Sequence, residues 1–218
     1  MKKFLLILEK CPLFHYINTE DLVALLGCLA PEIRDFRKKE TIFSEGSSAR
    51  FVGIVLSGQA QIERTDYYGN RSIQAVVEPG ELFGESFACA NVPFPVKVTA
   101  SEDSQVLLID CKKIILPCSH ACSFHGQLIM NLLHVVAMKN ILLNQKAEIT
   151  GKRSTREKLL AYLSMQAKRQ GKSTFSIPFD RQELADYLQV DRSGLSNEIS
   201  KLRDEGVLAS KKNQFTLL

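Results

Sequence analysis

The chain of 218 residues lacks features that define several large functional classes. It contains no uninterrupted run of about 18 apolar residues, which a membrane-spanning helix needs. The opening segment, residues 1–9, has too short an apolar stretch for a signal peptide. No nucleophile elbow, phosphate-binding glycine-rich loop or HExxH helix is present. We therefore expect a cytoplasmic protein with no membrane partner, no catalytic residues and no enzymatic activity.

Histidine is scarce, and residues 36–112 contain none of the four in the chain. Residues 36–110 read as short strands separated by glycines, with alternation clearest in residues 59–63 and 96–100. Such strands predict a small antiparallel barrel or roll. Cupin-type enzymes share that architecture and bind metal through strand histidines, so the missing imidazoles argue against a cupin-like enzyme.

The six cysteines belong to a chain without export signals, which argues against a disulfide framework. Cys118, Cys122 and His125 are spaced i, i+4 and i+7, and therefore share one face at the start of a helix. They could hold a metal or join a redox pair, or they could simply pack the helix against the barrel. The other four cysteines are scattered and are expected to be structural: Cys11, Cys28, Cys89 and Cys111.

The most informative segment is the C-terminal one, where two short amphipathic helices are predicted at 181–188 and 192–204 around a tight turn. Asp180 and Glu183 form a capping box at the first helix. Asp191 is placed to accept a hydrogen bond from the opening amides of the second. Both helix starts are therefore encoded locally, and the pattern is that of a helix-turn-helix.

The second helix has a polar stripe opposite its apolar face, which carries Leu195, Ile199 and Leu202. Small polar side chains on an exposed stripe can enter a major groove and hydrogen-bond to base edges. Residues 207–218 then read as strand, basic turn and strand, which predicts a wing that lies on a phosphate backbone.

Charge is distributed unevenly along the chain. Residues 151–218 hold 13 Lys+Arg against 8 Asp+Glu, a net +5, while residues 1–150 hold 15 against 16, a net −1. This asymmetry is expected when only one part of a protein meets a polyanion. An ordinary solvated helical hairpin, or a pure protein-interaction module, would leave the charge asymmetry and the basic wing unexplained.

A long helix is predicted from about residue 119 to 148, and it is apolar on more than one side. One face can cover the barrel, and another can form a coiled-coil seam with a second copy, in which Asn140 would help to fix the register. The alternative is a helix buried inside one monomer. The predicted seam consists of Ile129, Leu133, Val136, Asn140 and Leu143.

Residues 151–153 look like a hinge, after which Ser154 and Glu157 form another capping box that opens a helix through about residue 170. In this order, the parts resemble the cAMP receptor protein/FNR (Crp/Fnr) superfamily of bacterial transcription regulators over essentially the whole chain. The resemblance is carried by the glycine-punctuated barrel, the long helix and these segments: Pro79–Glu85, Val96–Ala100, Arg153–Leu163 and Arg181–Leu202.

The resemblance implies an α+β fold with an N-terminal double-stranded β-helix, the cyclic-nucleotide-binding-like β-roll. It places the effector-binding roll with its N-terminal helices in residues 1–117, a dimerisation helix in 118–150 and a winged helix-turn-helix in 151–218. It also implies a homodimer that binds a palindromic promoter site on double-stranded DNA. The other implied partners are RNA polymerase and an unidentified small-molecule effector.

By position, the resemblance implies that Arg192, Ser193, Ser196 and Asn197 read bases and that Arg181 and Gln182 lie near the phosphates. An acidic residue of the best-known members is replaced here by Ser193, and an Arg by Asn197, so we expect a different recognition sequence, with Asn197 suited to adenine. The expected DNA-binding residues are Arg181, Gln182, Arg192, Ser193, Ser196, Asn197, Ser200, Lys201, Lys211 and Lys212.

The effector pocket departs further from the family pattern. Gly84 and Glu85 match it, but the Arg that neutralises a cyclic phosphate is replaced by Phe94, with Pro95 after it. Burying the phosphate without that cation is costly, so we do not expect cyclic AMP to be the effector. Lys97 is predicted to be exposed, and Phe87, Phe94 and Pro95 are expected to form a more apolar pocket, for an aromatic or hydrophobic ligand or for none.

Overall fold

The computed structural model describes residues 4–65, 71–116 and 123–218. The chain folds into helices and antiparallel sheets, which confirms the predicted α+β class. Contacts divide it into two compact units, Met1–Met138 and Lys139–Leu218, and the longest helix contributes to both. The division into effector, dimerisation and DNA-binding parts stays a prediction.

The first unit begins with helices and continues as short strands. The second helix, α2, is capped by Asn18, whose side chain accepts a hydrogen bond from the Asp21 amide at 2.9 Å. In chain order the elements are α1 (Leu5–Lys10), a 3₁₀ turn (Pro12–Phe14), α2 (Thr19–Leu29), β1 (Glu32–Phe36), β2 (Thr41–Phe43), β3 (Phe51–Ser57), β4 (Ala60–Thr65), β5 (Arg71–Val77), β6 (Leu82–Phe83), α3 (Glu85–Ala90), β7 (Lys97–Ala100), β8 (Ser104–Asp110), α4 (Cys111–Ile115) and α5 (Ser123–Thr150).

The strands form two four-stranded antiparallel sheets, in the orders β1-β8-β3-β6 and β2-β7-β4-β5. Strands from the two halves of the segment pair with each other, and β3 runs against β8 with Phe51 opposite Asp110. Such pairing confirms the predicted roll. Its core contains fully buried β-branched and leucine side chains such as Val52, Ile54 and Leu107.

One face of α5 packs within the first unit. Leu128 and Leu132 are buried in its hydrophobic core. Beside them, Asn131 Nδ2 donates hydrogen bonds to the carbonyl oxygens of Leu13 and His15, at 3.0 and 2.6 Å. These bonds satisfy a buried polar side chain and fix the first half of α5 against the N-terminal segment.

Among the described residues, one helix, Phe124–Thr150, is long and apolar enough by composition to cross a membrane. Its most apolar stretch has a mean hydropathy of 1.3 and is 22% buried. The sequence predicts no membrane partner because it has no unbroken apolar run, and this helix is apolar only on average. Lys139 lies near its middle, where insertion of a charged side chain into a bilayer costs about 3 kcal/mol.

The second unit has helix starts that confirm the sequence predictions. Ser154 and Asp180 each accept from the amide three residues later, in complete capping boxes, and Asp191 Oδ2 accepts from the Gly194 amide at 2.8 Å. The elements are α6 (Thr155–Gln170), β9 (Thr174–Ser176), α7 (Arg181–Leu188), α8 (Arg192–Asp204), β10 (Leu208–Lys211) and β11 (Gln214–Leu217). The three strands form one sheet in the order β10-β11-β9.

The core of the second unit joins α6 to the helix-turn-helix and the wing. The apolar face predicted for α8 is buried in this core, and Leu160 on α6 is only partly buried. The buried side chains of the three helices include Leu159, Tyr162, Leu163, Leu184, Leu188, Leu195, Ile199 and Leu202.

Candidate nucleic-acid interface and effector site

The α8 helix is buried along one face and exposed along the other. Leu195, Ile199 and Leu202 are at most 3% exposed and hold the helix on the core. Ser196 is half-buried on the flank. The other predicted DNA-facing residues of this helix are exposed: Arg192, Ser193, Asn197, Ser200 and Lys201.

The first turn of α8 is organised by Asp191. Its carboxylate accepts hydrogen bonds from the Ser193 hydroxyl and, at 2.8 Å, from the Gly194 amide. The Ser193 bond contributes most to lowering the pKa of Asp191, and the Gly194 bond adds to it, so the carboxylate stays charged. The Ser193 hydroxyl therefore has its proton committed to Asp191 and presents acceptor lone pairs outward.

Arg181, expected near phosphates, supports the wing from the side. Its Nη2 lies 3.4 Å from the carbonyl oxygen of Lys212, and its guanidinium carbon lies 5.5 Å from the centre of the Phe215 ring. Burial lowers the pKa of Arg181. Lys211 and Lys212 themselves are exposed at the wing tip. The structure thus links the start of α7 to the basic turn, a contact that sequence analysis did not predict.

Gln182 lies on the exposed surface of α7, one residue after Arg181. Its Nε2 donates to Asp186 Oδ1 at 2.9 Å, one helical turn away. The Gln182 amide is thus held along the helix surface and keeps its carbonyl oxygen available as an acceptor.

An aromatic cluster at the base of α7 was also not predicted. The Tyr187 ring centre lies 5.2 Å from that of Tyr162 and 5.0 Å from that of Phe179. Lys146, near the end of α5, places its Nζ 5.2 Å from the centre of the Tyr187 ring. This cation–π contact connects the last turns of α5 to the first helix of the helix-turn-helix.

The predicted effector site lies around the start of α3. Gly84 adopts a φ of +80°, and a Cβ at this position would meet Phe43 at 3.2 Å and Phe94 at 3.3 Å. Glycine is therefore required both by the backbone conformation and by the close aromatic neighbours. Glu85, the first residue of α3, is 2% exposed.

Phe94, which the resemblance predicts at the position of the family's phosphate-binding Arg, is 2% exposed. Its ring stacks on Phe43 with centres 4.6 Å apart, and Phe87 lies edge-on at 5.7 Å. Pro95 is exposed and does not extend this buried cluster, and Lys97 is exposed as expected. The interior at this point is aromatic, because Phe43, which sequence analysis missed, completes the stack.

The alternative metal or redox set falls partly outside the described residues, since Cys118 and Cys122 lie there. His125 is buried, and its Nε2 lies 3.0 Å from the carbonyl oxygen of Ile114, to which it donates. Within residues 4–65, 71–116 and 123–218, no group of three His, Cys, Asp or Glu side chains is arranged to hold a metal ion.

The predicted coiled-coil seam is unevenly exposed. Leu133 is 60% exposed and Leu143 67%, and Asn140 is exposed with its Oδ1 accepting from Asn144 at 2.6 Å. Ile129 is half-buried, and Val136 packs against the core of its own unit. The structure adds exposed apolar neighbours that the heptad pattern omitted: Met130, Met138, Ile141 and Leu142.

A β-roll, a long helix and a winged helix-turn-helix with an exposed polar and basic face define a DNA-binding transcription regulator rather than an enzyme. Residues 33–115 match the Cyclic nucleotide-binding domain family, and residues 157–218 match the Crp-like helix-turn-helix domain family. The chain belongs to the Crp/Fnr family of transcription regulators.

Similar proteins include the transcriptional activator protein FnrL of Cereibacter sphaeroides, 27% identical over 198 residues that cover 85% of this chain and 75% of FnrL. The transcriptional activatory protein AadR of Rhodopseudomonas palustris is 26% identical over 185 residues, which cover 83% of this chain and 74% of AadR. The catabolite activator protein of Thermus thermophilus has the same fold, with a TM-score of 0.51, 24% identity and coverage of 95% of this chain and 93% of that one.

Proposed function

We propose that this protein is a cytoplasmic homodimer that binds a palindromic promoter site and is controlled by an effector other than cyclic AMP at the β-roll. The observation that carries the proposal is the exposed stripe of α8, formed by Arg192, Ser193, Asn197 and Ser200. It lies opposite a face that is at most 3% exposed, so the helix is held firmly while its polar side chains remain available.

These side chains suit reading of a major groove. Arg192 can donate two hydrogen bonds to a guanine, and Asn197 can pair with the edge of an adenine. Ser193 supplies an acceptor at the helix start. Lys211 and Lys212 on the wing would contact phosphates, which position the protein without reading sequence.

The exposed apolar residues of α5 support the homodimer. Leu133 and Met130 are each 60% exposed, and Ile141 is 48% exposed. A second copy of the same helix is the partner that would bury them, since a two-fold axis brings identical apolar surfaces together. Two-fold symmetry also presents two α8 helices to successive major grooves, which is why we propose a palindromic site. RNA polymerase is a further expected partner at such a promoter.

The aromatic interior around Phe94 supports an effector other than cyclic AMP. An unpaired phosphodiester in this site would lose its hydration without gaining a cation, at a cost of several kcal/mol. We propose an apolar or aromatic effector that binds the DNA-competent dimer more tightly than the incompetent one. Equal affinity for both would leave DNA binding unchanged.

The test is selection of random duplex DNA by the purified full chain, under reducing conditions and at fixed salt. We expect an enriched site with two-fold symmetry. Asn197→Ala is the matched variant, and it should keep the half-site spacing while losing preference at one base pair of each half-site. Enrichment of a single asymmetric half-site would contradict the dimer, and no enrichment with or without added cell extract would contradict sequence-specific binding.

A further inference from the structure

Two cysteines that are far apart in the sequence meet in the β-roll unit. The Sγ atoms of Cys89 and Cys111 lie 3.7 Å apart, across 22 positions of the chain. Cys89 is exposed near the end of α3, whereas Cys111 is buried as the first residue of α4. The sequence predicts both to be scattered structural residues, and the structure brings these two together.

The two thiols differ in exposure and share a hydrogen bond between their sulfurs, which Cys111 donates when Cys89 is ionised. This bond lowers the pKa of Cys89 to about 7, against the opposing effects of burial and Glu85. The same bond, together with burial, raises the pKa of Cys111. A thiolate with a pKa near the surrounding pH is the most effective attacking species in thiol–disulfide exchange. The exposed member of the pair is therefore the nucleophile, with a second thiol beside it.

We propose that Cys89 and Cys111 form a redox-reactive dithiol site whose substrate class is a small disulfide such as oxidised glutathione. The Cys89 thiolate attacks one sulfur of the small disulfide, forming a mixed disulfide and releasing one small thiolate. That thiolate takes the proton of Cys111. The Cys111 sulfur then attacks Cys89 and expels the second small thiolate. One disulfide is reduced, two protein thiols are oxidised, and charge and protons balance.

Closure is within reach of side-chain rotation and small backbone shifts. A disulfide bond is about 2.05 Å long, so the two sulfurs must approach by roughly 1.7 Å from their present separation of 3.7 Å. The bond would join α3, which begins at Glu85 and carries Phe87, to the start of α4. The elements at the effector site would thus be cross-linked to the end of β8. This chemistry does not depend on the proposed DNA-binding function.

The first experiment equilibrates the reduced full chain with glutathione buffers of increasing oxidised fraction, followed by acid quenching, alkylation and peptide mapping. We expect a peptide pair joined through Cys89 and Cys111, with the loss of two hydrogens and no bound glutathione. Cys28, which is exposed elsewhere in the same unit, is the internal control and should not join this pair. Disulfides at other cysteines while Cys89 and Cys111 stay reduced would overturn the proposal.

Variants separate the two roles. In Cys111→Ala the resolving thiol is missing, so glutathione should remain attached to Cys89, and in Cys89→Ser no adduct should form at Cys111. Because Cys111 is buried and its variant can lose stability, alkylation of the unaltered protein near pH 7 provides a second measurement. Cys89 should react several-fold faster than Cys28, and equal rates would overturn the assignment of Cys89 as the nucleophile.

Discussion

Arg156 on α6 forms a bidentate ion pair with Glu205, the residue that follows α8. Its Nη1 lies 3.0 Å from Oε1, and its Nη2 lies 2.5 Å from Oε2. Nη1 also lies 3.5 Å from Glu198 Oε1, on α8 itself. The hydrogen bonds from Arg156 lower the pKa of Glu205. This contact fixes the C-terminal end of α8 to α6, and nothing in the local sequence pattern predicts it.

We expect Arg156→Ala to lower the melting temperature modestly, because the paired groups are exposed and screened by solvent. A carboxyl whose folded pKa is depressed contributes stability above its unfolded pKa, and this contribution is lost as pH falls through the folded pKa. The stabilising effect of Arg156 should therefore be present at neutral pH and disappear in acid. Thermal unfolding across pH tests it, with Arg169→Ala on the same helix as the control. An equal loss at all pH values would contradict the ion pair as the cause.

Lys211 on the wing should contribute to DNA affinity without contributing to sequence choice. Removing one phosphate contact lowers the slope of log K against log salt by about 1. We expect this for Lys211→Ala, measured by titration of a selected duplex at several salt concentrations. Lys172→Ala is the control: Lys172 precedes β9 at the Thr174 end, whereas Lys211 lies at the opposite end of the sheet. The same slope for both variants would argue against a wing contact.

Asn197→Ala, in contrast to Lys211→Ala, should change the sequence preference of DNA binding and leave its salt dependence unchanged. A bidentate contact with one base contributes about 1–3 kcal/mol of discrimination. We expect preference at one base pair per half-site to disappear, while the salt dependence stays as in the parent protein. Competition binding with single-base variants of the selected site measures this. If guanine were selected at every contacted position, the proposed adenine contact would be wrong.

Leu133→Glu should convert the proposed dimer to a monomer, because it places a charge on an exposed position of the proposed seam. Leu133 is 60% exposed, so its replacement does not open a cavity in the monomer. Sedimentation velocity measures the mass. Leu6→Glu is the matched control, since Leu6 on α1 is 74% exposed and lies outside the seam. Dissociation by both variants, or by neither, would count against α5 as the interface.

Cyclic AMP should leave the melting temperature unchanged. A ligand present at 100 times its dissociation constant adds about 2.7 kcal/mol to the stability of the folded state. We expect no such shift, because Phe94 stacks on Phe43 where a cation would be needed. Adenosine is the control ligand, as it lacks the phosphodiester. A shift with cyclic AMP that adenosine does not produce would show that the site accepts the phosphate after all.

Local signals in the sequence predicted the second unit well. The capping boxes at Ser154 and Asp180 and the cap at Asp191 all form as predicted, since each joins groups only three residues apart. The apolar spacing of α8 identified its buried face for the same reason. The seam of α5 was less well determined, because periodicity identifies an apolar face without naming its partner, and Val136 packs on its own unit.

The sequence by itself determined the order of the parts, the helix starts and the exposed stripe of α8. Only the tertiary structure decided which distant side chains meet. Cys89 reaches Cys111, Phe94 reaches Phe43, and Arg156 reaches Glu205 through strand pairing and helix packing. Caps and amphipathic faces are short-range properties of the chain, whereas these contacts depend on the register and packing of elements that are far apart in sequence.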